Sequence, residues 1–370
     1  MKTKNILIQL SHPAHFHLYK NVAKNLMDDG HNVFIVIKTK DILEELLQQS
    51  GLPYHNILKV PHRKSKLGML WDTFVRDWRM MKFVRKHKID LLTGSTVEVA
   101  HVSWLMRKDS INTGEDDLAV VPQFGYIAGP FVKAHLAPDC CDVGSLTNRC
   151  TKYASYHELA YLHPNHFTPD AKVVEKYFSI DQPYFLVRFS SLNAFHDTGI
   201  HGINTEIAQH LIDILKPHGR IYITSERELE PQFEQYRIPI KTLDMHHVMA
   251  FSTLYIGDSQ TMAAEAAVLG VPFVRFNDFV GRIGYLNELE NVYHLGFGIK
   301  ASEDGAEERM YNIVEEILAT PNLKEEWENR RQKMLSEKID YAQFLTWFIE
   351  NYPESRRIMK ENPDYQYRFK

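Results

Sequence analysis

Glu265 sits one helical turn beyond a polar strand end, a place from which a carboxylate can take both hydroxyls of a ribose. The stretch around it, residues 254–276, reads LYIGDSQTMAAEAAVLGVPFVRF. Its apolar start, ending in Gly257, predicts a buried parallel strand running into a turn. Asp258, Ser259, Gln260 and Thr261 offer cap side chains, and residues 262–269 are strong helix formers. Gly270 and Pro272 close that helix before a second strand at 273–276. A helix N-terminus at the carboxyl end of a sheet favours a phosphate, through unpaired backbone N–H groups and the helix dipole. Arg188, Ser190 and Ser191 leave another predicted strand, 184–189, where a guanidinium would neutralise a diphosphate as its bond to a sugar breaks. Arg282, just past the second strand, is a further candidate for that work, and His246, in a short helix before the unit, joins the donor-binding set. An ordinary helix cap is the competing reading of the same turn.

Proton transfer needs groups of another kind. His12, His15 and His17 fall in the first strand-to-helix turn, and an imidazole of near-neutral pKa can take the proton of an attacking hydroxyl. Helix capping or wall packing would explain the same histidines. Glu115 and Asp116, in the acidic run GEDD, are the carboxyl candidates for that role. No catalytic metal is expected: His15 with His17, and His246 with His247, lack neighbours at a recognised zinc spacing. G-x-G-x-x-G and Walker A runs are also missing, which removes the usual signatures of dinucleotide oxidoreductases and P-loop NTPases.

The elements that must position these groups alternate. Residues 5–10 read as a strand, 16–29 as a helix ended by Gly30, and 31–38 as a strand, a βαβ unit that implies a parallel sheet. A helix at 41–49 and strands at 54–60 and 89–93 follow, and Gly94-Ser95-Thr96 opens a helix at 97–107. Residues 109–142 read as the least regular part, a loop region of the kind that carries function. Pro164, Pro169 and Pro183 suggest a linker within 156–183. The alternation then resumes, with strands at 184–189 and 220–224 and helices at 204–215, 303–318, 323–337 and 341–352. Residues 59–88 are basic, with Leu67, Leu70, Trp71, Phe74, Trp78 and Met81 at helical spacing. They read either as the core-facing side of a helix with a solvated basic face, or as a face that docks on an anionic membrane carrying a lipid-linked acceptor.

Composition narrows the class. A chain of 370 residues is long for one core, and 44% hydrophobic with 24% charged residues suits a soluble globular protein. A net charge of −4 argues against a general nucleic-acid binder. Nothing resembles a signal peptide or a membrane span, and three crowded cysteines, Cys140, Cys141 and Cys150, argue against a disulfide framework. The expected place is the cytoplasm, with peripheral contact at the inner membrane face as a second option.

Four segments, SHPAHFHLYKN (11–21), YHELAYLHPNHFTPD (156–170), VRFSSLNAFHD (187–197) and IGDSQTMAAEAAVLGVP (256–272), resemble a family of predicted glycosyltransferases of GT-B fold. That family is similar to UDP-sugar 2-epimerases and to peptidoglycan-type N-acetylglucosaminyl transferases. The resemblance implies an α/β fold of two doubly wound Rossmann-like domains facing across a cleft. It places the acceptor side at 1–165, the nucleotide-sugar side at 166–340, and a C-terminal helix packed back on the N-terminal domain at 341–370. The implied activity is sugar transfer from a nucleotide-diphosphate donor, UDP-linked, to a sugar or lipid-linked acceptor in cell-surface glycan or polysaccharide synthesis, with no separate cofactor. Since the chain has no Asp-x-Asp, by which metal-dependent transferases hold a sugar diphosphate, a metal-independent scheme is expected. The alternative is a UDP-N-acetylglucosamine 2-epimerase. Such epimerases carry an Asp after the fourth N-terminal strand, where this chain has Ser95, although Glu115 or Asp116 can match another of their acidic residues. The families usually have Ser-Gly-Gly or Ser-Gly-Ala where this chain has Ser259-Gln260-Thr261.

Overall fold

The computed structural model describes residues 2–38, 42–59, 65–189, 202–225 and 227–370. The chain forms two units, Met1–His166 together with Lys338–Lys370, and Phe167–Glu337.

In the first unit seven strands make one sheet: β1 (Asn5–Leu10), β2 (Asn32–Ile37), β3 (Tyr54–His55), β4 (Leu91–Gly94), β5 (Asp109–Thr113), β6 (His135–Pro138) and β7 (Cys150–Tyr153). Their order is β3-β2-β1-β4-β5-β6-β7, with every pairing parallel. The winding reverses between β1 and β4, so the ends Leu10–Thr96 of those strands form the switch point where doubly wound sheets take ligands. Gly94 is required there: its φ is +149°, and a Cβ on it would lie 2.6 Å from the Gln9 carbonyl oxygen. Near-continuous apolar strands such as β1, NILIQL, are buried because helices cover both faces of a parallel sheet. Residues 338–370 belong to this unit. Their helix Tyr341–Glu350 stacks Tyr341 on Tyr153 at 4.2 Å between ring centroids, and Lys4 Nζ donates to the Glu350 carbonyl at 2.6 Å.

The second unit holds β8 (Tyr184–Phe189), β9 (Arg220–Ser225), β10 (Leu254–Gly257), β11 (Phe273–Phe276) and β12 (Gly296–Ile299), ordered β12-β11-β10-β8-β9 and again all parallel. Its reversal lies between β8 and β10. Behind the sheet, Phe185, Val187 and Ile256 pack with Leu211 and Val314 in one apolar core.

Two expectations fail. The region 109–142 is not irregular: it contains β5, the helix Pro122–Ile127 and β6. Strand β5, DSINT, hides from an apolar pattern because Ile111 is its one buried apolar side chain; the polar Ser110, Asn112 and Thr113 are buried beside it, Ser103 Oγ donating to Ser110 Oγ at 2.8 Å and Asn112 Nδ2 to the Thr96 carbonyl at 3.0 Å. Of the stripe, Met81 packs against the core, but Leu67, Leu70, Trp71, Phe74 and Trp78 do not face it. All five are exposed, and the helix Lys66–Lys86 buries Met80, Phe83 and Val84 instead. Of the basic run, Arg63 and Lys64 lie outside the described residues.

Candidate functional site

The second unit gathers its candidates at the β8/β10 switch point. Gly257 closes β10 directly beside Arg188 of β8. A Cβ at Gly257 would stand 2.9 Å from Arg188 Cβ and 2.6 Å from the Tyr255 hydroxyl, so only glycine admits the arginine this close to the turn. Ser259 caps the helix Gln260–Leu269 by accepting from Met262 N–H at 3.4 Å, and Tyr255 is buried beneath the turn. The N–H groups of Gln260 and Thr261 open the helix and have no place in its i→i−4 ladder. Asn277, fully buried after β11, donates to the Asp258 carbonyl at 2.8 Å and accepts from Phe279 N–H at 2.9 Å, which fixes the turn from the neighbouring strand. Arg282 follows on this loop, exposed, its guanidinium 5.4 Å from the Phe279 ring centroid.

One turn into the helix, Glu265 accepts a hydrogen bond from His246 Nε2 at 2.9 Å, and both side chains are buried. The helix Met245–Ala250 therefore holds the carboxylate in place. Sequence reasoning put both residues in the donor set without seeing that they touch. Ser190 and Ser191 lie outside the described residues. A second buried pair, Arg275 to Glu290 at 2.8 Å, joins β11 to the helix Gly284–Asn291. Burial raises the Glu290 pKa against the pull of Arg275, and the pair braces the sheet.

The first unit carries side chains suited to moving protons. Glu115 follows β5, and its carboxyl accepts from His157 N–H at 2.8 Å while its other oxygen lies 3.2 Å from His157 Nδ1. The two side chains are 12% and 15% exposed. Burial pushes Glu115 up to about 8 and His157 down to about 4. Between those values Glu115 is protonated and His157 neutral. His157 lies flat on Tyr341, centroids 5.5 Å apart at 13°, and Glu158 hydrogen-bonds the Glu115 carboxyl. Asp116 is exposed next to them.

A separate chain of hydroxyls lies in the same unit. Tyr19 meets Thr93 at 2.9 Å and Thr113 at 3.1 Å, and Thr113 meets Ser95 at 2.8 Å. Burial raises Tyr19 to about 12, so the phenol keeps its proton. The β1/β4 junction is locked by Thr96 Oγ1 donating to Gln9 Oε1 at 2.6 Å, Gln9 Nε2 donating to Glu98 at 3.2 Å, and Arg76 donating to Glu98 at 2.5 Å.

The histidines of the first turn are tied into its backbone. His12 caps the helix Pro13–Asp28, its Nδ1 accepting from Ala14 N–H at 3.2 Å, and His15 Nδ1 accepts from Ser11 N–H at 3.3 Å. A neutral ring with Nδ1 accepting carries its proton on Nε2. His17 is buried against Tyr161 at 5.1 Å. Sequence reasoning passed over His157 and Glu158 as reacting groups, although both lie in the quoted segment 156–170, where two ionisable residues interrupt an apolar run.

Two all-parallel sheets, each reversing its winding once, with a capped helix at the second reversal, define the GT-B class of fold. Within that class, the chain belongs to the family described as Protein of unknown function (DUF354), whose model matches residues 4–282. No curated protein matches the chain by sequence. Similar solved structures include a UDP-N-acetylglucosamine 2-epimerase at 14% identity, covering all of this chain and 98% of that one with a TM-score of 0.61. A second is the UDP-GlcNAc 2-epimerase of Neisseria meningitidis bound to UDP-GlcNAc, at 12% identity, 90% and 99% coverage and a TM-score of 0.58. A third is the spinosyn rhamnosyltransferase SpnG complexed with thymidine diphosphate, at 13% identity, 94% and 100% coverage and a TM-score of 0.58. At these identities the likeness concerns the fold.

Proposed function

We propose that this chain is a glycosyltransferase that uses a nucleoside-diphosphate sugar, UDP-linked, without a metal ion. The observation that carries the reading is the His246–Glu265 pair, one turn inside a helix that opens at the β8/β10 switch point beside Arg188. A ribose would take its two hydroxyl bonds from Glu265. The diphosphate would take the N–H groups of Gln260 and Thr261, the Ser259 hydroxyl and the Arg188 guanidinium, with Arg282 as a further cation. As the bond from sugar to phosphate breaks, the developing charge falls on the phosphate, where helix dipole and arginine stabilise it. The acceptor, a sugar or a lipid-linked sugar of a cell-surface glycan, loses its hydroxyl proton to Glu115 in its ionised form, which grows as pH approaches about 8, with His157 and Asp116 beside it. His15, in the first strand-to-helix turn, is the alternative base for that hydroxyl. Solvent and substrate meet these groups in the cytoplasm.

A specific feature favours a second reading. Glu115, kept near neutral by burial and touching Glu158, is suited to take a proton from carbon, as a UDP-N-acetylglucosamine 2-epimerase must. Against it, Ser95 offers no second base, its hydroxyl being bonded to Thr113. Incubation with UDP-N-acetylglucosamine in D₂O without acceptor separates the two. Transfer chemistry predicts no deuterium at the sugar C2 position by NMR, and its appearance there assigns the epimerase reaction.

A further inference from the structure

The exposed stripe of the helix Lys66–Lys86 lies outside both sets of reacting groups. Leu67 is 81% exposed, Leu70 65%, Phe74 57%, Trp71 56% and Trp78 46%. At spacings of three and four they share one side of the helix. Three half-exposed aromatic side chains of about 150–250 Å² each already present roughly 300 Å² of apolar surface, the size at which an exposed patch marks an interaction site. The patch extends to the adjoining helices. Asp77 binds His101 Nδ1 at 3.0 Å, and His101 Nε2 meets the Ile127 carbonyl at 3.0 Å. Trp104, three residues beyond His101, is also exposed, as is Tyr126.

Charge decides what such a face meets. The only carboxylates of this helix, Asp72 and Asp77, are both buried. Its exposed charges, Lys82, Arg85 and Lys86, with Lys88 just beyond, are all positive, in a chain whose net charge is −4. Lys82 Nζ sits 3.5 Å from the Trp78 ring centroid, so the aromatic stripe runs directly into the basic one. Apolar and aromatic side chains followed by cations, with no exposed anion on the helix itself and Asp90 beyond it bonded to Asn5 N–H, match a bilayer interface: rings reach the acyl boundary while ammonium and guanidinium groups meet anionic headgroups. No helix among the described residues is long and apolar enough to cross a membrane, so contact through this element is peripheral.

We propose that the helix Lys66–Lys86 docks the protein onto anionic lipid bilayers, Leu67 to Trp78 inserting and Lys82 to Lys88 binding headgroups. The inference stands on this surface alone and does not depend on the donor chemistry above. Sedimentation of the full chain with phosphatidylcholine vesicles, with and without one quarter phosphatidylglycerol, tests it. Binding to the anionic vesicles at least tenfold tighter than to the neutral ones is expected, weakened by salt and accompanied by a blue shift of tryptophan emission. Trp71→Glu with Phe74→Glu, both at exposed positions, should abolish binding with the melting temperature unchanged, and Lys82→Glu with Arg85→Glu should lower it about tenfold or more. Absence of vesicle binding, equal binding to both lipids, or full binding by these variants would overturn the proposal. Concentration-dependent dimerisation that the Trp71 and Phe74 substitutions abolish would overturn it too, by assigning the face to a second copy of the chain.

Discussion

The two units present different chemical groups on the same parallel-sheet plan. The second offers mainly fixed backbone dipoles and one braced carboxylate, Glu265 on His246, at a reversal that only Gly257 allows to close around Arg188. The first offers mobile protons: Glu115 and His157 with pKa values driven apart by burial, and a separate chain of hydroxyls that hands hydrogen bonds along from Tyr19 to Ser95. Binding a diphosphate needs directional donors that do not titrate, whereas activating a hydroxyl needs groups that do. The contrast predicts that substitutions in the first unit change rate and substitutions in the second change affinity.

The largest effect should come from Glu115→Gln. Losing a general acid–base group costs about 10²–10⁴ in turnover, with donor affinity intact, so single-turnover kinetics with binding measured in parallel will break the comparison if both fall together. Next in size is Arg275→Met, which strands Glu290 in the core and should cost about 3–5 kcal/mol of stability in denaturant titrations. Donor affinity per folded molecule should not change, which separates the brace from the ligand site.

The Glu115–His157 pair also leaves a signature in stability against pH. Glu115 binds its proton more tightly in the folded chain, so its contribution is complete below its ordinary pKa and declines as pH rises toward about 8. His157 has a lowered folded pKa, so its contribution declines as pH falls from about 6.5 to about 4. Urea midpoints measured from pH 6.5 to 8 should fall less in Glu115→Gln than in the wild type, the remainder coming from Glu350, which burial raises to about 7. The smallest expected effect is that of chelation. Turnover in EDTA should equal turnover in Mg²⁺, and activity that vanishes with EDTA and returns with the metal would contradict the leaving-group role given to Arg188 and the helix terminus.

The difference between the units also explains what the sequence revealed. The donor-side turn was legible because strand, cap, helix and stop occupy one continuous stretch, 254–276, each with its own residue signal. Glu115 and Asp116 could be named, but His157 lies 42 residues from Glu115 and is brought to it by β6 and β7. Those strands are four residues each, HLAP and CTKY, too short and too polar for periodicity to find. Pairing of His246 with Glu265, 19 residues apart, depended on packing between two helices and left no local mark. The stripe on the helix Lys66–Lys86 misled for the opposite reason. Its helical period was plain, but a period says that a face is apolar, without saying whether core or surroundings cover it.

Calorimetric titration of UDP into wild type and Glu265→Ala tests the central claim most directly, because it isolates the donor half-site from any acceptor. The account predicts saturable one-site binding in the wild type, weakened in the variant by about 1.5–3 kcal/mol through loss of the hydrogen bonds to a charged group. Wild type that takes up no UDP, or a variant that binds as tightly, would contradict it.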